Sequence, residues 1–237
     1  MANAPTRETA PCIVIPAFNE AHRIGPVVTG ALAHGFPVVV IDDGSTDETG
    51  ALVRSLGAEV IRHEHNHGKG ASLVSGFAYA RERGHPVVIT LDADGQHDPV
   101  EITRFVDAYR RTGIPVLIGN RMWNDAEMPM VRRWTNRAMS RLLCRIMKSY
   151  IPDTQCGFRL YRTDVLSFAP AVSRHFAMES EVLLHLAMRG FRMDSVRVST
   201  IYRGSKSRIN PLVDTMRFVM MLVQFHHDRQ MRRSRPG

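Results

Sequence analysis

Residues 87–99 read VVITLDADGQHDP, from Val87 to Pro99. An apolar run rich in β-branched residues has the composition of a buried strand, and this one ends abruptly in closely spaced carboxylates. Side chains two apart on an extended backbone point the same way. The spacing therefore predicts that Asp92 and Asp94, with the amide oxygen of Gln96 two residues further on, face one hard divalent cation such as Mg²⁺ or Mn²⁺. The bland alternative is a solvated turn with a helix cap at Asp98. It loses ground because residues 37–43 (PVVVIDD) repeat the pattern, ending in Asp42 and Asp43. Open α/β sheets bind ligands beyond the carboxyl ends of their strands.

Working outward, the first half alternates short apolar runs with helical periodicity. Strands are expected at 12–16, 37–42, 58–62, 86–92 and 115–119, with helices at 20–34, after a cap at Ser45 or Thr46, at 70–83, and from Asp98-Pro99 onward. Successive βα units of this kind make an α/β fold with a mostly parallel, Rossmann-like sheet flanked by helices. After Arg121 the alternation fails. Residues 129–149 read as one long basic helix, followed by a Pro-Asp turn, a short strand at Phe158–Tyr161 and two more helices.

The chain has 237 residues, 44% of them hydrophobic, which suffices for a sizeable core and excludes disordered and fibrous classes. Cys12, Cys144 and Cys156 are far apart and show no Cys-x-x-Cys spacing, which fits a reduced, cytosolic setting with the three as packing residues. The first twelve residues do not have the pattern of a secretory signal. The apolar run Phe218–Val223 is far below the roughly 20 residues of a spanning helix. A formal charge of +8 points to an anionic partner: nucleic acid, an acidic membrane face or a phosphorylated small molecule. The excess is concentrated in the second half, with Arg133, Arg137, Arg141, Arg145 and Lys148 forming a continuous stripe on the expected helix.

Three more loops fall on the ligand edge. Asp42 to Asp47 (DDGSTD) could present backbone N–H groups and carboxylates to a ribose or base; a capped turn explains it as well. Pro16 to Glu20 (PAFNE) follows the first strand, and Phe18 could flank a base, although core packing is the commoner use of Phe. His67-Gly68-Lys69-Gly70 puts a cation at a helix start, suited to phosphate oxygens. Neither a Walker loop nor a dinucleotide fingerprint is present.

The four loops in order, IPAFNE, VVVIDDGSTDET, HNHGKGAS and LDADGQHDP, resemble the family 2 glycosyltransferases of the GT-A fold, over about residues 11–210. The Asp-x-Asp-x-Gln form, with Gly119-Asn120-Arg121 and DTQCGFRLYR at 153–162, is most similar to the dolichol-phosphate mannosyltransferase and polyprenyl-phosphate glycosyltransferase branch. The resemblance implies one domain over 1–237: a nucleotide-sugar half at 11–120, a helical acceptor half at 121–210, and a C-terminal helix and basic tail at 211–237. It implies a nucleotide-diphosphate sugar held by Pro16, Phe18, Glu20, Asp42 or Asp43, and Lys69, with Asp92, Asp94 and Gln96 on Mg²⁺ or Mn²⁺. Arg121, Arg132 or Arg133, and Arg203 would meet an acceptor phosphate. The branch usually shows Gly-x-Ser-Lys near its end, whereas Gly204 to Arg208 reads GSKSR.

The acceptor decides the chemistry. An attacking hydroxyl needs a base, while a phosphate monoester arrives already anionic and needs cations. Asp153 is the best base candidate for a hydroxyl acceptor (glycolipid, saccharide or small molecule), with a turn role beside Pro152 as its plain alternative; Glu179 and Glu181 are weaker ones. A polyprenyl phosphate would be met by arginines, whose planar fork suits phosphate. The basic helix 129–149 could then lie on an anionic membrane surface, placing a cytoplasmic enzyme peripherally at the inner face, or simply pack its apolar side on the sheet. A nucleic-acid-binding module is the rival from another class. No binding signature supports it, and an acidic ligand edge would repel nucleic acid, so no nucleic-acid partner is expected.

Overall fold

The computed structural model describes residues 10–124, 128–168 and 177–201, together with 216, 218–223 and 225. Its elements run β1 (Cys12–Ala17), α1 (Ile24–Leu32), β2 (Val38–Asp42), α2 (Thr49–Ser55), β3 (Glu59–Arg62), α3 (Lys69–Glu82), β4 (Val87–Thr90), α4 (Ile102–Thr112), β5 (Val116–Asn120), α5 (Met130–Met147), β6 (Arg159–Arg162), α6 (Thr163–Leu166), α7 (Ala177–Met188) and β7 (Met193–Arg197). The strands form one seven-stranded sheet in the order β3-β2-β1-β4-β6-β5-β7. Only β6 runs against its neighbours. The mostly parallel α/β sheet is thus the one the strand and helix alternation implies.

The topology explains where a site forms. From β1 the chain moves outward through β2 to β3, then crosses back to place β4 on the other side of β1. That reversal leaves a crevice beyond the carboxyl ends of β1 and β4, the usual ligand position in open α/β sheets. The acidic turn after β4 opens there.

Continuous apolar runs make β1, β2 and β4 buried on both faces, and Ile13, Ile15, Val40, Ile41, Val88 and Ile89 form the centre of the core. α3 lies close on this sheet because its inward residues are small: Gly70, Ser72, Gly76 and Ala80 are buried with Leu73. A Cβ on Gly76 would collide with the Val14 side chain. This close packing brings the first residue of α3, Lys69, to the sheet edge.

Three sequence expectations are corrected. β4 stops at Thr90, two residues short of Asp92, because the chain turns as soon as it leaves the core. Ser45 and Thr46 do not cap α2, whose first residue is Thr49; both are engaged with the preceding loop instead. β7 was not expected at all, since MDSVR is an edge strand in which only Val196 is buried. Asp98-Pro99 does open a helix: Asp98 accepts from the Val100 N–H (3.0 Å), and a 3₁₀ turn at Pro99–Glu101 leads into α4.

Candidate active site

The loops after β1 and β2 are stitched into one wall. Asn19 N–H donates to Ser45 Oγ (3.0 Å), Thr46 N–H to Asn19 Oδ1 (2.8 Å), Glu20 N–H to Thr49 Oγ1 (2.9 Å) and Ala21 N–H to Asp47 Oδ2 (3.2 Å). The left-handed backbone of Asn19 (φ 53°) makes the first loop turn sharply enough for this. Within the wall Pro16 is buried in β1, while Phe18 and Glu20 are half-buried at its surface.

Asp42 and Asp43 do not stand open to a ribose or base. Asp42 is fully buried, accepting from Ser45 N–H (2.9 Å) and Arg62 (3.0 Å). Asp43 pairs with the His63 ring (2.7 Å) and accepts from the backbone N–H groups of His67 (3.0 Å) and Gly68 (2.7 Å). A buried carboxylate must have such partners. Asp43 thereby holds the glycine loop in place ahead of Lys69, while Asp42 ties the turn after β2 to Arg62.

The metal motif is a turn rather than an extended face. Beyond Thr90, Asp94 Oδ1 accepts from Gln96 N–H (3.0 Å) across Gly95, whose φ is +71°. Asp92, Asp94 and Gln96 nevertheless stay on one turn. Lys69 Nζ lies 2.7 Å from Asp92 Oδ1 and 2.9 Å from Glu179 Oε2 on α7. Burial, the largest single influence, pushes the Asp92 carboxyl up, but Lys69, its hydrogen bond and the neighbouring positive charge together hold it below the usual carboxylate range. Asp94 is pushed up by burial and by the charge of Asp92. Crowded carboxylates of this kind, with a glutamine oxygen beside them, are a hard-oxygen donor set that fits Mg²⁺ or Mn²⁺. Among the described residues no three His, Cys, Asp or Glu groups cluster as metal ligands. The rest of a coordination sphere here would come from the amide oxygen, ligand oxygens and water.

Gln96 ties this turn to the second half of the chain. Its Oε1 accepts from Arg132 at the start of α5 (3.2 Å), and its carbonyl accepts from Ile201 N–H (2.9 Å). Arg133, by contrast, points an N–H at the Met128 carbonyl (3.5 Å). Arg203 lies outside the described residues, as does the GSKSR segment.

Arg121 and Asp153 form a buried pair: Nε to Oδ2 is 2.7 Å, Nη2 to Oδ1 is 3.0 Å, and the Arg121 N–H adds 3.2 Å. Burial pushes the Asp153 carboxyl up, yet Arg121 holds it below its ordinary range. Both Asp153 oxygens are thus engaged and its charge is matched by Arg121.

Three further residues, Arg159, Gly157 and His97, were given no role from the sequence. Arg159 is fully buried and donates to the carbonyls of Cys156 (2.7 Å), Thr154 (2.8 Å) and Glu179 (2.7 Å), so the 153–158 loop and α7 wrap around one guanidinium. Glu179 thereby reaches Lys69. Gly157 faces that contact: a Cβ there would stand 2.5 Å from Asp92 Oδ2 and 2.8 Å from Lys69 Nζ. His97 lies under the turn, its ring against Phe158, and burial followed by the Arg121 charge pushes its pKa down to about 4, so it is neutral near pH 7. The motif DTQCGFR carried the signal for Arg159 and Gly157.

Residues 12–168 match the model of the family described as glycosyl transferase family 2, which is well over half of the chain. The chain belongs to this family. The glycosyltransferase is 31% identical over 202 residues to a dolichyl-phosphate hexose transferase of Haloferax volcanii, covering 84% of this chain and 86% of that one. It is 29% identical to the polyprenol monophosphomannose synthase of Mycolicibacterium smegmatis, over 82% and 78% of the two chains. Among solved structures it is similar to glucosyl-3-phosphoglycerate synthase of Mycobacterium tuberculosis in complex with Mn²⁺, UDP and phosphoglyceric acid. There the TM-score is 0.70 at 20% identity, covering 91% of this transferase and 78% of that chain, a likeness of fold. The GT-A fold expected from the four loops is therefore the fold of this transferase.

Proposed function

We propose that this glycosyltransferase moves a sugar from a nucleotide-diphosphate donor to a polyprenyl phosphate, with Mg²⁺ or Mn²⁺ held by Asp92, Asp94 and Gln96. The observation that carries the acceptor assignment is a pairing of opposites: the best candidate base, Asp153, is locked on Arg121, while a guanidinium, Arg132, stands at the acidic turn. A site with cations at hand and its base engaged suits a nucleophile that is already ionised. The printed names of the Haloferax and Mycolicibacterium relatives support the same acceptor class. The neighbour solved with Mn²⁺ and UDP supports the donor class and the ion.

In this reading an acceptor phosphate oxygen attacks the anomeric carbon from the face opposite the leaving group, the bond to the diphosphate breaks, and the configuration inverts. The ion, when bound, neutralises the charge that develops on the departing nucleoside diphosphate. The wall of Phe18, Glu20 and the DDGSTD loop orients the nucleotide, Lys69 adds positive charge beside its phosphates, and Arg132, with Arg133 and Arg203 as further candidates, receives the acceptor phosphate.

A lipid-linked acceptor places the enzyme at a membrane, and α5 has a face for it. Val131, Trp134, Leu142 and Ile146 are exposed along the helix, with Arg141, Arg145 and Lys148 exposed beside them. The stripe expected from sequence is split, because Arg133 and Arg137 are half-buried while Leu143 and Met147 pack inward. No helix of the described residues is long and apolar enough to cross a membrane. The proposed contact is peripheral, at the cytoplasmic face.

The test is transfer from a panel of labelled nucleotide-diphosphate sugars, with Mn²⁺, to vesicles containing polyprenyl phosphate or the unphosphorylated polyprenol. Product should form with the phosphate alone and vanish on chelation; equal transfer to the alcohol, or transfer in chelator, rejects the proposal.

A further inference from the structure

We infer that Lys69 and Arg132 are place-holders on the cation's own ligands, so that ion binding hands each of them to an anion and couples the ion to donor and acceptor. This rests on the assignment of Asp92, Asp94 and Gln96 as ligands. Asp92 Oδ1 is 2.7 Å from the Lys69 ammonium, and Oδ2 faces Gly157, where a Cβ would stand 2.5 Å from it. Gly157 is backbone in a packed loop and cannot yield, whereas Lys69 ends a flexible stem. An ion that takes Asp92 Oδ1 as a ligand therefore takes the place of Lys69.

Lys69 has a second carboxylate ready. Glu179 is 2.9 Å away and is itself fixed, because buried Arg159 donates to its carbonyl (2.7 Å) and lies 3.8 Å from its Oε1. The ammonium can leave Asp92 without becoming an unpaired buried charge, the outcome that would otherwise oppose the exchange. Arg132 sits on Gln96 in the same way, 3.2 Å from Oε1. A neutral amide oxygen holds a guanidinium weakly compared with a phosphate. Displaced by an ion, Arg132 is available at the place where the acceptor phosphate is proposed to bind. Lys69 and Arg132 already offset part of the charge of Asp92, Asp94 and Glu179. A doubly charged ion carries the cluster past neutrality, and that surplus favours the diphosphate and the acceptor phosphate together.

The experiment is Mn²⁺ binding to the full chain without nucleotide, read by electron paramagnetic resonance or calorimetry. Removing the competing charge in Lys69→Met should tighten Mn²⁺ by roughly tenfold or more. Glu179→Gln should weaken it, because Lys69 then has Asp92 alone. A long-range charge effect would have the same signs, so both steps are repeated in an Asp92→Asn background, where competition for Asp92 no longer exists and Lys69→Met should leave the residual affinity unchanged. Unchanged or weaker Mn²⁺ binding in folded Lys69→Met overturns the inference, as does equal tightening in both backgrounds; should that variant not fold, unchanged affinity in Glu179→Gln does the same. Asp94→Ala separates the two levels. It should lose Mn²⁺ in every background, and retention there would remove the ligand assignment itself.

Discussion

Gly157 is the residue on which the site's geometry turns. Its missing side chain lets Asp92 and Lys69 meet against the backbone. Gly157→Ala is expected to cost only about 1–3 kcal/mol of stability, as overpacking does. It should lower kcat by about a hundredfold, since displacements near 1 Å at a reacting centre cost that much. Thermal melts beside turnover measurements check this, and unchanged kcat in a folded variant would contradict it. Asp153 gives a pH test. Its carboxyl is held below the ordinary range in the fold, so the unfolded chain takes up its proton first on acidification. The pair's contribution is present above about pH 4 and is lost as pH falls through the lower folded value. Asp153→Asn should therefore be less stable by about 3–5 kcal/mol near neutral pH, because Arg121 stays buried and unmatched. Its stability should also fall less on going below about pH 4. Urea unfolding at several pH values reads both effects. The sequence displayed such residues but not their surroundings: Asp42 and Asp43 look like nucleotide ligands and Asp153 like a base until burial and partners far along the chain are known.

At the scale of elements, the parallel strands were legible because apolar β-branched runs are bounded by glycines and prolines, and the helices between them because their periodicity changes. The direction of β6 and the existence of β7 were not. Direction leaves no mark on a four-residue strand, and a polar edge strand lacks the alternation that would reveal it. α5 was legible in length but not in orientation: the sequence offered a basic stripe, and packing of Leu143 and Met147 inward turned Trp134, Leu142 and Ile146 out beside Arg141, Arg145 and Lys148. Each exposed basic residue should contribute about 1 kcal/mol of attraction to an anionic membrane, so Arg141→Glu with Arg145→Glu should lower vesicle binding by tenfold or more. The effect should shrink as salt is raised. Co-sedimentation with anionic and neutral vesicles measures it, and equal binding of wild type and variant to anionic vesicles would remove α5 from the membrane contact.

For the whole molecule, one arrangement organises the rest. The reversal of strand order at β1 and β4 opens a crevice; α3, the turn after β4, α5 and α7 each send one side chain to it, namely Lys69, Asp92, Arg132 and Glu179, with Gln96 on that same turn. Residues from distant parts of the chain are thereby made to meet at a single acidic turn, which a family 2 glycosyltransferase can use to hold a charged donor against a charged acceptor. The most direct test is a crystal of the enzyme with Mn²⁺ and a nucleoside diphosphate, with the ion located by its anomalous signal. The account predicts Mn²⁺ bound to oxygens of Asp92, Asp94 and the diphosphate, with Gln96 at its side and Lys69 withdrawn toward Glu179. An ion located elsewhere, or Asp92 still paired with Lys69 beside a bound ion, would contradict it.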